Sequence, residues 1–325
     1  MLFRSILLTF ARFVDRGMLP NVFPGAGRRP DYNTVDAALW FFEGWRAYFE
    51  VSHDRESLAQ VFPILVEIVE FHLQGTRYGI HVDPRDALLG AGEPGVQLTW
   101  MDAKVGDWVV TPRIGKPVEI NALWYNALCI MVKLAEALDR PAELYRDLAG
   151  RVHTSFTRFS NERTGGLYDV LDGPSGNDGA IRPNQILAVS LPYSPLAPAL
   201  QAQVVALCGL ELLTSYGLRS LSSDHPEYQP HYAGDPWHRD GAYHQGTVWA
   251  WLLGHYSLAK YRVHGDADLA LQRLATMRDH LFDAGLGTIS EVFDAEEPYT
   301  ARGCIAQAWS VAEVLRAWVK TAENT

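Results

Sequence analysis

The densest mixture of acidic and aromatic side chains lies within residues 97–126. This stretch holds three tryptophans and three carboxylic acids: Trp100, Trp108, Trp124, Asp102, Asp107 and Glu119. Because an ionised acid is costly to bury without a partner, a purely structural segment rarely combines the two so closely. The mixture predicts a pocket that stacks on sugar rings and performs acid–base chemistry. The alternative is a loop packed by its own aromatic side chains.

Cleavage of a glycosidic bond requires one protonated carboxylic acid for the leaving oxygen and a second carboxylate as base or nucleophile. Acids in loops rich in aromatic residues are the candidates: Asp102, Asp107, Glu119, Asp169, Asp172, Asp240, Glu291 and Asp294. Spacing alone ranks none of them. For each, a helix cap, an ion pair or a solvated acid is the ordinary structural alternative.

Other chemistries have less support in the sequence. There is no glycine-rich phosphate loop and no Gly-x-Ser-x-Gly nucleophile motif. Four histidines fall in one loop, but their spacing fits no helical metal motif: His225, His231, His238 and His244. We therefore predict no metal and no cofactor, and expect these histidines to bind hydroxyls or to order the loop.

Loop aromatics can either stack on the apolar faces of glucose rings or pack against one another. The candidates are Trp100, Trp108, Trp124, Trp237 and Tyr243. Composition favours a neutral ligand, since the net charge of -10 and the absence of a Lys/Arg run argue against nucleic acid. The three cysteines are widely spaced, which predicts no disulfide framework and, by default, a reducing cytoplasm.

Hydrophobic periodicity predicts a succession of helices that carry these loops. They are expected over 1–14, 34–51, 55–74, 119–138, 141–159, 185–191, 197–213, 247–263, 266–282 and 305–321. Charged residues interrupt the apolar pattern of 1–14, so we interpret it as a helix of the fold and not as a secretion signal. No apolar run is long enough to predict a membrane span.

The helices form hairpins that alternate with long polar and aromatic loops, about fifty to sixty residues apart. Such hairpins can stack as an open solenoid or close into a ring. The long loops favour the ring, because they would gather at one end and form a pocket there. Periodicity leaves both arrangements open.

Several ordered runs make the chain similar to a known family. They include Leu-Thr-Trp-Met-Asp at 98–102, Thr-Pro-Arg at 111–113, Tyr-His-Gln-Gly-Thr-Val-Trp at 243–249 and Ser-Glu-Val-Phe-Asp at 290–294, with further matches at 32–37, 118–126, 182–185, 217–221 and 303–310. The chain resembles the C-terminal amylo-α-1,6-glucosidase domain of glycogen debranching enzymes. The matching runs touch almost its whole length.

The resemblance implies an all-α, (α/α)6 barrel over a single domain, residues 1–325. It also implies hydrolysis, with inversion, of the α-1,6-linked glucose at branch points of glycogen or a limit dextrin. Asp102 would be the general acid and Glu291 the general base. An inverting pair needs carboxyl groups about 6.5–9.5 Å apart, and Trp100 and Trp108 are expected to desolvate the acid.

The matching runs also suggest which residues bind glucose, because they supply both donors and acceptors for hydroxyl groups. The predicted set is Trp100, Trp108, Glu119, Asn121, Trp124, Asn184, Gln185, Arg219, Asp240, Tyr243, His244 and Gln245. The expected partner is glycogen or a branched α-glucan.

The chain departs from the family at its N-terminal side. The family's earlier helix, led by a Trp-Gly-Arg-Asp segment, and its N-terminal domain have no counterpart here. We therefore expect a barrel incomplete by the first helix or two, with the N-terminal portion of the enzyme as a possible partner for exposed apolar faces of Leu2, Phe3, Leu7 and Phe10 or of the helix after Glu43.

The amino-acid sequence leaves three functions open. The first is a debranching α-glucosidase, and the second is a catalytically impaired glucan-binding fragment or subunit of a split enzyme. The third is another (α/α)6 glycosidase, such as a glucoamylase or trehalase.

Overall fold

A computed structural model describes residues 2–23 and 29–322, and helices dominate it. Eleven α-helices occur in the described residues: α1 Leu2–Ala11, α2 Ala37–Ser52, α3 Arg55–Gln74, α4 Val118–Ala137, α5 Glu143–Ser155, α6 Leu187–Ser190, α7 Pro198–Glu211, α8 Pro236–Ala242, α9 Trp251–His264, α10 Ala267–His280 and α11 Ala308–Ala322. Short 3-10 turns cover Arg77–Gly79, Phe156–Phe159 and Pro183–Ile186. The all-α prediction is confirmed, and the short α8 is the one α-helix of this set that the sequence pattern did not predict.

The strands are two to four residues long, and they connect neighbouring loops through small antiparallel sheets. They are β1 His81–Val82, β2 Leu89–Gly90, β3 Lys104–Val105, β4 Trp108–Val109, β5 Lys116–Pro117, β6 Ser160–Asn161, β7 Gly166–Leu167, β8 Val170–Gly173, β9 Gly176–Asp178, β10 Leu218–Arg219, β11 Val248–Trp249, β12 Val292–Phe293 and β13 Ala301–Arg302. The largest sheet has the order β10-β11-β12-β13, with Val248 opposite Phe293. It joins three loops that are distant in sequence.

The first helical hairpin shows how local chemistry sets the element ends. His53 ends α2 in the left-handed region with a φ of 51°. Asp54 then caps α3, because its Oδ1 accepts a hydrogen bond from the backbone N–H of Ser57 at 3.0 Å. The predicted bounds of α3, 55–74, are confirmed, and only two residues separate α2 from α3.

Two layers of helices enclose the core. α2, α4, α6, α9 and α11 pack side by side in that order, and α3, α5, α7 and α10 lie outside them. Their inner position explains why α4 and α9 are buried around most of their circumference and not along one face only. α4 is long and apolar enough to suit a membrane span, but 78% of that stretch is buried within the protein, as a core helix requires.

The apolar surface of α1 is only partly exposed. Leu2 and Phe3 are open to solvent, as expected, but Leu7 is buried against α2. Gly44 allows this contact, since a Cβ there would lie 3.2 Å from Leu7. Phe10 stacks on Phe23 with ring centroids 4.8 Å apart. The prediction that Leu7 and Phe10 lack neighbours is therefore wrong, because α1 lies across α2 and α3.

Candidate active site

One cavity contains the two acids that the resemblance selects. Its volume is about 290 Å³, and it lies at the N-terminal ends of α2 and α11 and before α9. Asp102 and Glu291 both line it, although they are far apart in the sequence. The lining residues are Asn21, Asn33, Thr34, Asp36, Thr99, Trp100, Asp102, Tyr243, Trp249, Glu291, Gln307 and Trp309.

Three hydrogen-bond donors hold the carboxylate of Glu291. Oε1 accepts from the Tyr243 hydroxyl at 2.6 Å and from Nε2 of Gln307 at 3.0 Å. Oε2 accepts from the backbone N–H of Cys304 at 2.9 Å. Gly303 permits this approach, because a Cβ there would overlap Oε2 and its φ of 65° lies in the left-handed region. Three donors hold the carboxylate in one orientation and bind its ionised form, which is the form in which a general base accepts a proton.

The backbone around Glu291 is fixed by the largest sheet. Glu291 directly precedes β12, and its N–H donates to the carbonyl of Cys304 at 2.9 Å. Burial, followed by the hydrogen bond to Glu291, raises the pKa of the Tyr243 hydroxyl far above its ordinary value. The phenol therefore stays protonated at neutral pH and continues to donate to Glu291.

Asp102 has the opposite environment within the same cavity. In the described part of the chain, its carboxyl accepts no hydrogen bond from another residue. Asp102 is exposed to solvent, but the protein around the cavity still desolvates its carboxyl and, with the charge of Glu291 as a lesser cause, raises its pKa from 3.8 to about 6. Two carboxyl groups whose environments differ in this way can divide the roles of acid and base.

Asp36 is a third carboxyl group in the cavity; it lies in the matching run 32–37 but was not among the predicted site residues. It occupies the N-cap position of α2, yet its side chain caps no amide and instead accepts from the Thr34 hydroxyl. Burial, and also the charge of Asp102, raise its pKa from 3.8 to about 6. The available signal was the matching run 32–37; periodicity gave none, because it placed the start of α2 three residues too early.

Aromatic side chains form one wall of the cavity. The Trp100 ring makes near-perpendicular contacts with Trp249 and Trp251, at centroid distances of 5.2 and 5.1 Å. Trp309 stacks on Trp251 at 4.0 Å. Nε1 of Trp100 donates to Oδ1 of Asn184 at 2.7 Å, which fixes the ring orientation. The wall is rigid and apolar, as stacking on a sugar ring requires.

The structure corrects the expected position of Trp108. It does not line the cavity and so supplies no wall beside Asp102. The hairpin of β3 and β4 carries it outward, where 37% of the residue is exposed and its ring stacks on Trp237.

Three predicted glucose-binding residues of α4 are buried and support loops instead of lining the cavity. Glu119 is 1% exposed and accepts a hydrogen bond from Nη2 of Arg113 at 2.7 Å. Asn121 bonds both the N–H and the carbonyl of Leu89, at 2.7 and 3.1 Å. Nε1 of Trp124 donates to the carbonyl of Ala87 at 3.2 Å. Their hydrogen-bonding groups are used within the protein, which explains their place in a matching run.

Two further predicted residues have similar structural contacts. Oε1 of Gln185 accepts from the backbone N–H of Leu167 at 3.1 Å. Oε1 of Gln245 accepts from Nη2 of Arg182 at 2.6 Å. Both side chains are buried and neither lines the cavity. Asn184 also lies behind the cavity, but it acts on the wall through Trp100.

The remaining three predicted residues lie around the cavity without lining it. His244 is fully buried and stacks on Trp249 at 5.1 Å, and burial lowers its pKa well below 6.5, so the ring is neutral. Arg219 donates to the carbonyl of Ala295 at 3.2 Å. Asp240 pairs with the neighbouring Arg239 at 2.7 Å.

The grouping of acids that most resembles a metal site among the described residues lies elsewhere. Oxygen atoms of Asp83, Asp86 and Asp172 lie within 4.8 Å of one another. Nζ of Lys116 lies 2.8–2.9 Å from each carboxylate, so an ammonium group already supplies the positive charge. Of the four loop histidines, His238 contacts Asp235 at 2.8 Å and His244 is buried among rings, so they do not form one group.

Comparison with solved structures defines the class of the fold. An uncharacterized conserved protein from Thermus thermophilus superposes with a TM-score of 0.71 at 18% identity, covering 97% of this chain and 86% of that one. The mannosylglycerate hydrolase of the same organism, solved with glucose, gives 0.68 at 17% identity, covering 98% and 88%. A rhamnosidase from Klebsiella oxytoca gives 0.62 at 16% identity, covering 100% and 54%. The predicted (α/α)6 barrel class is confirmed; the predicted absence of a first helix stays a prediction.

Sequence comparison defines the family. Residues 2–316 match the family described as amylo-alpha-1,6-glucosidase, and the chain belongs to this family of glycoside hydrolases. The glycogen debranching enzyme of Saccharomyces cerevisiae is 24% identical over 80% of this chain. The chain spans 23% of the length of that protein.

Proposed function

We propose that this chain hydrolyses α-1,6-linked glucose at the branch points of glycogen or a limit dextrin, with inversion of the anomeric carbon. One observation carries the proposal: Asp102 and Glu291 line the same cavity in opposite environments. Among the described residues, no other residue donates a hydrogen bond to the first carboxyl group, and three donate to the second. Membership of the amylo-alpha-1,6-glucosidase family supports the choice of bond.

The chemistry assigns one proton transfer to each carboxyl group. Asp102 donates its proton to the glycosidic oxygen as the bond from that oxygen to the anomeric carbon breaks. Glu291 accepts a proton from a water molecule, and the water oxygen bonds to the anomeric carbon from the opposite face. Glucose of inverted configuration and a glucan with a free 6-hydroxyl are released. Asp102 is then ionised and Glu291 protonated, and exchange with solvent restores both.

The cavity suits a single terminal sugar. Its volume of about 290 Å³ lies at the lower end of the range of about 300–1,000 Å³ for ligand pockets. The rings of Trp100, Trp249 and Trp309 offer apolar faces, and Asn33, Thr34 and Asp36 offer hydrogen-bonding groups for hydroxyls. A monosaccharide presents both kinds of surface.

The test is glucose release from a glycogen limit dextrin, with the configuration of the product followed by NMR. We expect β-glucose to appear first and Asp102→Asn to reduce the rate at least a hundredfold, because general acid catalysis contributes about 10²–10⁴. Asp147→Asn, an exposed acid of α5, is the matched control.

The outcomes separate the alternatives. α-Glucose as the first product, or equal rates in wild type and Asp102→Asn, would contradict the proposed mechanism. Hydrolysis of α-1,4 or α,α-1,1 substrates instead of α-1,6 ends would indicate another glycosidase. Binding of the dextrin without any turnover would favour a glucan-binding chain.

A further inference from the structure

Two exposed tryptophans stack on each other outside the cavity. The ring centroids of Trp108 and Trp237 lie 4.5 Å apart with an interplanar angle of 29°. Trp108 is 37% and Trp237 55% exposed. We call these two residues the tryptophan pair. Exposed aromatic surface of this size on a loop region calls for an explanation, because tryptophan is usually highly buried.

The fold holds the pair in place. Trp108 begins β4 opposite Val105 of β3, across a turn in which Gly106 has a φ of 60°. Trp237 lies in the first turn of α8, which Asp235 caps by accepting from the N–H of His238 at 3.0 Å. The Trp108 ring lies against α8, since a Cβ on Gly241 would approach it to 3.1 Å. Both rings are therefore fixed without a ligand, which lowers the entropic cost of binding.

The two segments that carry the pair lead directly to residues of the cavity. The β3 strand begins two residues after Asp102. At the other side, α8 runs directly into Tyr243, whose hydroxyl donates to Glu291. The ring of Tyr232 lies 4.9 Å from that of Tyr243 and 5.9 Å from the guanidinium carbon of Arg239 in α8. A molecule whose end occupies the cavity can therefore extend across the tryptophan pair.

The chemistry of the surface selects the occupant. Two tryptophan side chains offer at most about 500 Å², less than the about 800 Å² that each partner contributes to a stable protein interface. Charged residues share the two elements that carry the rings: Lys104 lies in the β3–β4 hairpin with Trp108, and Asp235 and Arg239 flank Trp237 in α8. Flat apolar faces bordered by hydrogen-bonding groups match a sugar ring, which has C–H faces and hydroxyl edges.

We propose that the tryptophan pair binds the outer part of an α-glucan chain whose terminal branch occupies the cavity. The proposal rests on the proposed function for its choice of glucan. It predicts that the pair contributes to the binding of long substrates and not of small glucosides. Its effect therefore differs from that of a residue in the cavity.

The experiment measures glucan binding separately from turnover. Affinity electrophoresis in glycogen gels and calorimetry with maltoheptaose are carried out with Asp102→Asn, alone and combined with Trp237→Ala or Trp108→Ala. We expect each alanine to weaken binding about fivefold to tenfold, the equivalent of one lost ring contact. Trp237→Phe retains most of the affinity. Trp318→Ala, which removes an exposed tryptophan of α11, is the matched control and leaves binding unchanged.

Kinetics distinguish this proposal from the proposed function. In the active chain, Trp237→Ala should raise KM for limit dextrin and leave KM for p-nitrophenyl α-glucoside unchanged. Equal glucan affinity in wild type, Trp237→Ala and Trp318→Ala overturns the inference even if the chain hydrolyses limit dextrin. Loss of glucan binding on substitution of the pair supports it even if the chain shows no turnover. Circular dichroism of each variant confirms that it is folded.

Discussion

The hydroxyl of Tyr243 donates a hydrogen bond to Oε1 of Glu291 at 2.6 Å and so links the end of α8 to the start of β12. The two residues come from loops 48 positions apart, and both line the cavity. The bond fixes the orientation of the carboxylate that would activate water. It also makes the position of the base depend on the loop that carries Trp237.

Removal of this hydroxyl should reduce catalysis more than binding. A hydrogen bond to a charged group contributes about 1.5–3 kcal/mol, so Tyr243→Phe should lower kcat about tenfold to a hundredfold. KM for limit dextrin should change little, since the phenyl ring remains. Tyr261→Phe, which removes a hydroxyl on α9 that lines a different pocket, is the control. An unchanged kcat in Tyr243→Phe would show that the bond does not position the base.

The pH dependence should reflect the carboxyl groups that face one another in the cavity. Asp102 acts in its protonated form, and desolvation by the protein around the cavity raises its pKa to about 6, so kcat/KM should fall as pH rises through about 6. Asp36 and Glu291 are the other acids facing it. Because coupled acids titrate together, Asp36→Asn should move this fall in kcat/KM to lower pH. If kcat/KM fell at the same pH in Asp36→Asn and in the wild type, the coupling between the two acids would be contradicted.

Gly303 should be essential for activity for a steric reason. Alanine there would overlap Oε2 of Glu291 and adopt a φ that side chains disfavour. We expect Gly303→Ala to lower kcat at least tenfold. Gly165→Ala separates the two causes, because Gly165 also has a positive φ, 76°, but open space around it. That control should lose about 1 kcal/mol of stability and keep its activity. Equal activity in both variants would contradict the steric argument.

Glu119 should act on stability and not on substrate binding. It is buried in an ion pair with Arg113, which also bonds Asp169 at 2.7 Å. Breaking a buried pair costs about 3–5 kcal/mol, so Glu119→Gln should lower the free energy of unfolding by an amount of this order. The exposed Glu136→Gln should cost less than about 1 kcal/mol. Denaturant unfolding measures both. A large rise in KM for Glu119→Gln with unchanged stability would restore its predicted role in glucose binding.

The sequence predicted the helices better than the side-chain roles. α3 is an amphipathic helix with a capping Asp54 at its start, so pattern and capping agree on its bounds. Asp102 and Glu291 could be selected only through the resemblance, because nothing in their spacing predicts that they line one cavity. Glu119 and Asn121 were selected because they lie in the matching run 118–126, but the direction in which a side chain points from α4 depends on packing. Asp36 was missed for a similar reason, since its role depends on the exact start of α2.

The assignment of acid and base is tested most directly with α-glucosyl fluoride. Fluoride leaves without a proton, so this substrate needs the general base but not the general acid. We predict that Asp102→Asn hydrolyses α-glucosyl fluoride at a rate close to that of the wild type while it loses limit dextrin hydrolysis, and that Glu291→Gln loses both. Equal loss of both activities in Asp102→Asn, or retention of both in Glu291→Gln, would contradict the account.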